Sequence, residues 1–490
     1  VFVQGSAALA SLTLGGSKAA GGAVHAHQGP TAGPQARAVA DHSLVIQTAR
    51  IELGKNKVVS TTTYGGQFPG KLLRLTAGKT TIIDIRNQTD RPEQVHWHGQ
   101  FLDASVDGAA EEGTPAIPAR GSRRIAFTPN PTGFRFVHSH VTSGSNLTRG
   151  LFSGQFAPVF VDGRAGPKPY DREVFLILKE FAPALSDMEM SSGFLEPRNP
   201  IRGLYDLDQQ AVRDAVRRKR GPGHQVSYRY YSVNGRCLGE GEPIRVKPGE
   251  RVCFHVLNAS ASEVRSLALA GHGFRVIALD GNDVPAPRTV PVLWLGPGER
   301  VSAVVTMNAP GVWVMGDTDV NARTAGMGVV IEYASKRGPP VWRRPPRSTW
   351  DYRWFARPGA MPKPVDAQIE LLFATRYSAQ DGFDVFTING QPFSMSAMQP
   401  RFPIRFGRRY RLRMRNATDD AHPIHLHRHS FEITGVAGFP TAGLKKDVAM
   451  IGPFQEMSVD FTADRRGLSL LHCHMQTHMD FGFMALFDCR

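Results

Sequence analysis

At 490 residues the chain is too long for one hydrophobic core and fits three domains of ordinary size. Its 50 Gly and 35 Pro, set among short apolar alternations, favour β-sandwich or barrel units over helical ones. A net charge of +15 raises nucleic acid as a partner, but the basic run Arg213 to Arg220 lacks the aromatic interleaving of a base-stacking surface and reads as a solvated loop or short helix face. No apolar stretch is long enough to span a bilayer.

The first 26 residues are small and apolar without periodicity and stand apart from the fold. Val24-His25-Ala26 could end in a signal-peptidase site, and the FVQ opening resembles the part of a twin-arginine export signal that follows the arginine pair, which the chain as given lacks. The expectation is a folded protein exported to the periplasm or secreted, with residues 1–42 as signal remnant and tail; a plain disordered tail is the competing reading.

From Leu73 onward one unit recurs three times. Leu73 to Lys79 leads through TTIIDI to Asn87; Ile244 to Glu250 leads through RVCFHV to Asn258; Ile404 to Arg408 leads through RYRLRM to Asn416. Each copy is a strand, a Gly turn and an alternating strand ending at Asn, and each has the length of a small Greek-key β-sandwich. The expected divisions are 43–165, 166–335, a Pro/Arg-rich linker over 336–365, and 366–490.

Four short clusters hold eleven of the 17 histidines: HWHG at His96 to Gly99, HSH at His138 to His140, HPIHLHRH at His422 to His429 and HCHMQTH at His472 to His478. On a strand, an i, i+2 pair points both imidazoles to one face, and in HCH the cysteine must point to the other. One segment can therefore serve two metal centres. Superposing the repeats sets Arg265, Ala268 and Ala270 opposite His422, His425 and His427, with His272 opposite His429. The middle copy keeps the fold without ligands, so His272 and His429 read as structural. Copies one and three carry complementary half-sites that must touch, with the middle copy as a spacer.

Cys473 with His422 and His478 makes the His2Cys set of a blue-copper site. Structural zinc sites rely on paired cysteines, which this single Cys amid ten imidazoles does not resemble. The remaining eight, His96, His98, His138, His140, His425, His427, His472 and His474, suffice for three further ions with positions open to oxygen. Of the other cysteines, Cys237, Cys253 and Cys489, at most one pair can form; Cys237 and Cys253 could pair or stay as thiols.

These four motifs, in order and over nearly the whole chain from Ser43, resemble those of the three-domain multicopper oxidases, the family of laccases, ascorbate oxidase and copper-resistance oxidases. The resemblance implies three cupredoxin-like domains and four copper ions. His422, Cys473 and His478 would bind type 1 copper; His96 and His425, type 2; His98, His138 and His474, with His140, His427 and His472, the type 3 pair. Electrons would pass from Cys473 through His472 and His474 to dioxygen, which becomes water. Asp107, in DASVDG, matches the family's carboxylate beside the cluster and is the candidate proton relay, against the plain reading of a turn Asp before Gly108.

Some positions depart from the family. The acid that some relatives carry after the last type 1 histidine is Met479 here, and Asp480 would face away on an extended strand. The axial position is Phe483, which cannot coordinate, and this implies a high potential; the neighbouring Met484 should point away. Arg428 replaces a Gly of the family motif. Asp419 and Asp420, beside an exposed type 1 histidine, could take a phenol's proton or attract a metal cation. Met188, Met190, Met395 and Met398 are too sparse for a cuprous-oxidase insert and read as scattered core or surface. The leading expectation is a laccase-like oxidase of phenolic or similar small reductants. The alternatives are a Cu(I) or metal-ion oxidase in copper tolerance and, in another class, a non-catalytic copper-binding protein, which would have little reason to keep all eleven ligands.

Overall fold

The computed structural model describes residues 38–163, 166, 168–187, 224–377 and 382–490. The N-terminal segment, the basic run Arg213 to Arg220, and Met188 and Met190 lie outside the described residues. Among these residues the strands form six sheets, paired into three sandwiches.

In the third sandwich one sheet runs in the order Asp384–Ile388, Ala367–Tyr377, Arg409–Asn416, Glu456–Thr462, Phe431–Val436, Phe439–Lys446. Its partner runs Arg401–Ile404, Met484–Cys489, Gly467–Cys473, His422–Leu426, Val448–Ile451. The middle sandwich repeats both orders strand for strand, and the first keeps four strands in each sheet. The cause is the repeated alternation. In Thr81–Asn87 the residues Thr81, Ile83, Ile85 and Asn87 face inward, and in Arg409–Asn416 so do Tyr410, Leu412, Met414 and Asn416. The turn glycines Gly78, Gly249 and Gly407 share φ near the left-handed value, at 75°, 80° and 79°.

The terminal asparagines close the same local lock in every copy. Asn87 donates its side-chain amide to Arg91 O and Ile117 O, Asn258 to Glu263 O and Leu295 O, and Asn416 to Asp420 O and Gly452 O. Each side-chain oxygen accepts the N–H two residues on, from Thr89, Ser260 and Thr418. Stranding these buried carbonyls would cost about 1–3 kcal/mol each.

Apolar cores join neighbouring sandwiches. One cluster runs from Leu176 of the middle sandwich to Cys489 of the third, and another links Phe134 and Phe152 of the first with Ile177 and Phe181 of the middle. The stretch 336–365 is no loose tether: Trp350, Tyr352 and Phe355 are buried in the shared core. All four cysteines are free and buried, so Cys237 and Cys253 are two thiols. No helix among the described residues is long and apolar enough to cross a membrane.

Candidate metal centre

Strand register assembles the site. His96 lies opposite His138 in the first sandwich, and His425 opposite His472 in the third. The two half-sites abut: the His98 and His425 rings stack with centroids 3.7 Å apart, and those of His96 and His427 at 3.9 Å. Ligand atoms within 4.8 Å of one another form the sets His96, His98, His425; His98, His138, His474; His140, His427, His472; and, on the other face of the strand, His422, Cys473, His478. The structure brings the expected histidines together in these sets, with His98 shared between the first two.

The hydrogen bonds show that these residues fit a metal. His427 donates Nδ1–H to Asp107 Oδ2 (2.9 Å) and His472 donates Nδ1–H to Cys473 O (2.9 Å), which leaves their Nε2 lone pairs facing each other at 3.0 Å. His96 donates to Asp107 O (3.0 Å) and His425 to Asp447 O (2.7 Å), and their Nε2 atoms face at 3.4 Å. His98 gives Nε2–H to Asp447 (3.1 Å), turning Nδ1 toward His138 Nε2 at 3.4 Å. Neither ring nitrogen of His140 or His474 has a hydrogen-bond partner. Burial holds the imidazoles of His98, His138, His140, His425, His427 and His472 well below their ordinary range, so they stay neutral. Facing neutral lone pairs call for a cation between them.

In the second group, Cys473 Sγ lies 3.7 Å from His422 Nδ1 and 3.5 Å from His478 Nδ1. Burial pushes the Cys473 thiol up, so a metal must displace its proton. Thr418 Oγ1 accepts His422 Nε2–H at 2.7 Å and fixes the tautomer. The Phe483 ring lies 4.8 Å from that of His422, and Phe386 stacks on His478 at 4.2 Å. Phe483 belongs to the apolar cluster that includes Cys473, whereas Met484 belongs to a separate one.

Several expectations need correction. Of the two histidines, His478 is the half-buried one; His422 is fully buried, and Asp419 and Asp420 before it are half-buried and engaged in contacts. Asp480 is not on a strand facing away. It ends the short helix Gln476–Asp480 and accepts N–H from Ser143 (2.9 Å) and Gly144 (2.8 Å), just past His140, while burial raises its carboxyl to about 7. Asp107, the expected relay, ends the short helix Ala104–Asp107 before Gly108, is fully buried, and joins His96 to His427. Met395 is exposed and Met398 packs, partly buried, against the small cluster of Ala109, Leu470 and Met484, in keeping with scattered surface and core methionines.

Arg428 gains a physical account. At φ 62° and 1% exposure, it donates to Leu102 O (2.8 Å), Leu468 O, Ser469 Oγ (3.2 Å) and Arg466 O (2.7 Å), tying the first sandwich to the third. His272 and His429 are structural as expected, each donating Nδ1–H to the carbonyl two residues before it. Sequence reasoning missed Asp447, Glu111 and Glu112. Glu112 accepts Leu470 N–H at 2.6 Å and lies 3.6 Å from His427, and burial, then Asp107, drives its carboxyl well above the ordinary range. The available signal was Lys446-Asp447 at the head of the wholly apolar run Val448–Ile451.

Three β-sandwiches with a thiolate site and an eight-imidazole site between the first and third define a multinuclear metalloprotein. Multicopper oxidase profiles match residues 45–165, 205–332 and 364–490. The multicopper oxidase MmcO of Mycobacterium tuberculosis is 30% identical over 454 residues, covering 91% of this chain and 86% of that protein. Laccase-8 of Oryza sativa subsp. japonica is 23% identical over 544 residues, covering 92% of each. The crystal structure of a multicopper oxidase from Pseudomonas thermotolerans superposes with a TM-score of 0.66 at 23% identity, covering 92% of this chain and all of that one. The chain belongs to the multicopper oxidase family, oxygen-using oxidoreductases built from cupredoxin-like domains.

Proposed function

We propose that the protein is a laccase-like oxidase that takes electrons singly from phenolic or similar small reductants at a type 1 site of His422, Cys473 and His478. His96 and His425 would hold a type 2 ion, and His98, His138, His474, His140, His427 and His472 a type 3 pair. When bound, the four copper ions supply the one-electron acceptor and the centre that reduces dioxygen to water. The observation that carries this reading is the single strand placing Cys473 on one face and His472 and His474 on the other, which gives a covalent link between the two sites.

The chain's own residues do the rest. His478, half-buried, presents the electron-accepting edge, and the buried ring of Phe386 stacks on it at 4.2 Å and holds its orientation. Phe483 offers no donor, so the site keeps a high potential. Asp107 holds the N–H protons of His96 and His427 and is the relay to the cluster, with Glu112, whose carboxyl burial raises well above its ordinary range, next to it. A second reading, a Cu(I) or metal-ion oxidase, draws on Asp419 and Asp420 before His422. Oxygen uptake by copper-loaded protein, titrated with a dimethoxyphenol and with Cu(I) on a weak chelator, decides between them. A higher kcat/KM for the phenol is expected; preference for Cu(I), with phenol oxidised only when copper is added, would overturn the laccase reading.

A further inference from the structure

The middle sandwich, expected as a spacer, closes one wall of the imidazole cluster. In its turn Gly296-Pro297-Gly298-Glu299-Arg300, Gly298 (φ 82°) lies so close to His474 that a Cβ would stand 2.8 Å from the ring. Two residues on, the buried Arg300 forks onto Asp447, Nη1 to Oδ1 at 2.6 Å and Nη2 to Oδ2 at 2.7 Å. Arg135 of the first sandwich adds a bond to Oδ2 at 3.0 Å. Asp447 in turn accepts His98 Nε2–H on its carboxylate and His425 Nδ1–H on its backbone carbonyl. It therefore governs one ligand from each outer sandwich.

The backbone around Asp447 is held as well. Asp280 accepts the backbone N–H of Asp447 (3.2 Å) and Val448 (3.1 Å), and Lys446 bridges Asp280 and Glu299, both at 2.9 Å. Arg135, Arg300 and Lys446 thus balance Asp280, Glu299 and Asp447, all buried where the three sandwiches meet. The Arg300 guanidinium also lies 5.4 Å from the Phe136 ring, which stacks on His98 at 4.2 Å.

We propose that Arg300 is a positioning residue of the dioxygen-reducing site: by fixing Asp447 it holds His98 in the tautomer and ring orientation that turn Nδ1 toward His138 and His474. The proposal rests on the reading of the eight imidazoles as a copper cluster. A lysine cannot reproduce the planar fork, so even a charge-conserving change loosens Asp447.

The test compares wild type, Arg300→Lys, Arg300→Met and Arg265→Met, the last removing a buried guanidinium of the same sandwich that does not touch Asp447. Each is loaded with copper and read by copper per chain, blue absorption, the paramagnetic signal of non-blue copper, and kcat for oxygen uptake. Both Arg300 variants should keep the blue absorption, lose or alter the non-blue signal, and lose about 10–100-fold in kcat; if Arg300→Met fails to fold, Arg300→Lys decides. Arg265→Met should keep full copper. Unchanged copper, signal and kcat in Arg300→Lys would overturn the proposal, as would equal copper loss in Arg265→Met, which would mark a general loss of stability. If wild type binds only blue copper and takes up no oxygen, the cluster reading itself fails and the proposal falls with it.

Discussion

In the third sandwich Ile424 pairs with Cys473, Cys473 N–H bonds to Phe483 O (3.1 Å), and Phe483 N–H bonds to His478 O (2.9 Å). In the middle sandwich Leu267 pairs with Asp317, Asp317 N–H bonds to Met327 O (3.0 Å), and Met327 N–H bonds to Ala322 O (2.9 Å). The same backbone therefore presents Arg265, Asp317, Ala322 and Met327 where the third sandwich presents His422, Cys473, His478 and Phe483. Arg265 donates to Glu180 (2.7 Å) and Glu263 and pairs with Asp317 at 3.5 Å. The pocket asks for a positive charge in both places. One copy is built to take a metal ion, and the other carries the charge on its own chain, so that no exchangeable site remains.

The comparison breaks most sharply at the thiolate. Cys473→Ser should abolish the blue absorption and lower oxidase activity by at least about 10³-fold, as loss of a nucleus of interdependent groups does; a variant that stays blue would refute the type 1 assignment. Asp107→Asn leaves the thiolate site alone and should cost about 10–100-fold in oxygen turnover, with blue absorption unchanged. Steady-state rates beside an absorption spectrum separate these two outcomes.

On the middle side, Arg265→Met strands Glu180 and Asp317. A loss of about 3–5 kcal/mol in denaturant stability is expected, with copper per chain unaltered. Extra copper bound by this variant would show that the pocket retained affinity after all. The smallest effect belongs to Phe483→Met, which supplies the thioether that Met327 carries in the copperless copy. A lower potential is expected, on the order of 59 mV or one tenfold step for one electron. Redox titration of the blue band measures it, and no shift would mean that the sulfur does not reach the metal.

The ligands were legible because period two forces both histidines of HWH, HSH and HCH to one face, and the repeats placed Arg265 and Ala268 opposite His422 and His425 before any strand register was known. The residues around them were not. Asp447, Arg300 and Arg135 come from three sandwiches and are far apart in sequence, and a charged residue in a sequence reads by default as surface. Asp480 was misplaced for a different reason. Gln476–Asp480 has no side-chain cap and too few residues for a period, and the turn is held by tertiary bonds from Gln476 to Leu151 N–H (2.7 Å) and Val141 O (3.2 Å).

The seams between sandwiches differ in kind. First to middle and middle to third are joined by apolar clusters, but first to third meets mainly through imidazoles and carboxylates whose lone pairs oppose one another, with only a small apolar group around Ala109 and Leu470. That third seam is held instead by polar ties: Arg428 donates to Leu102 O, Asp480 accepts from Ser143 and Gly144, and Glu112 accepts Leu470 N–H. A cation held between the facing imidazoles would add one more tie across it, so metal binding and the joining of the first and third sandwiches are linked.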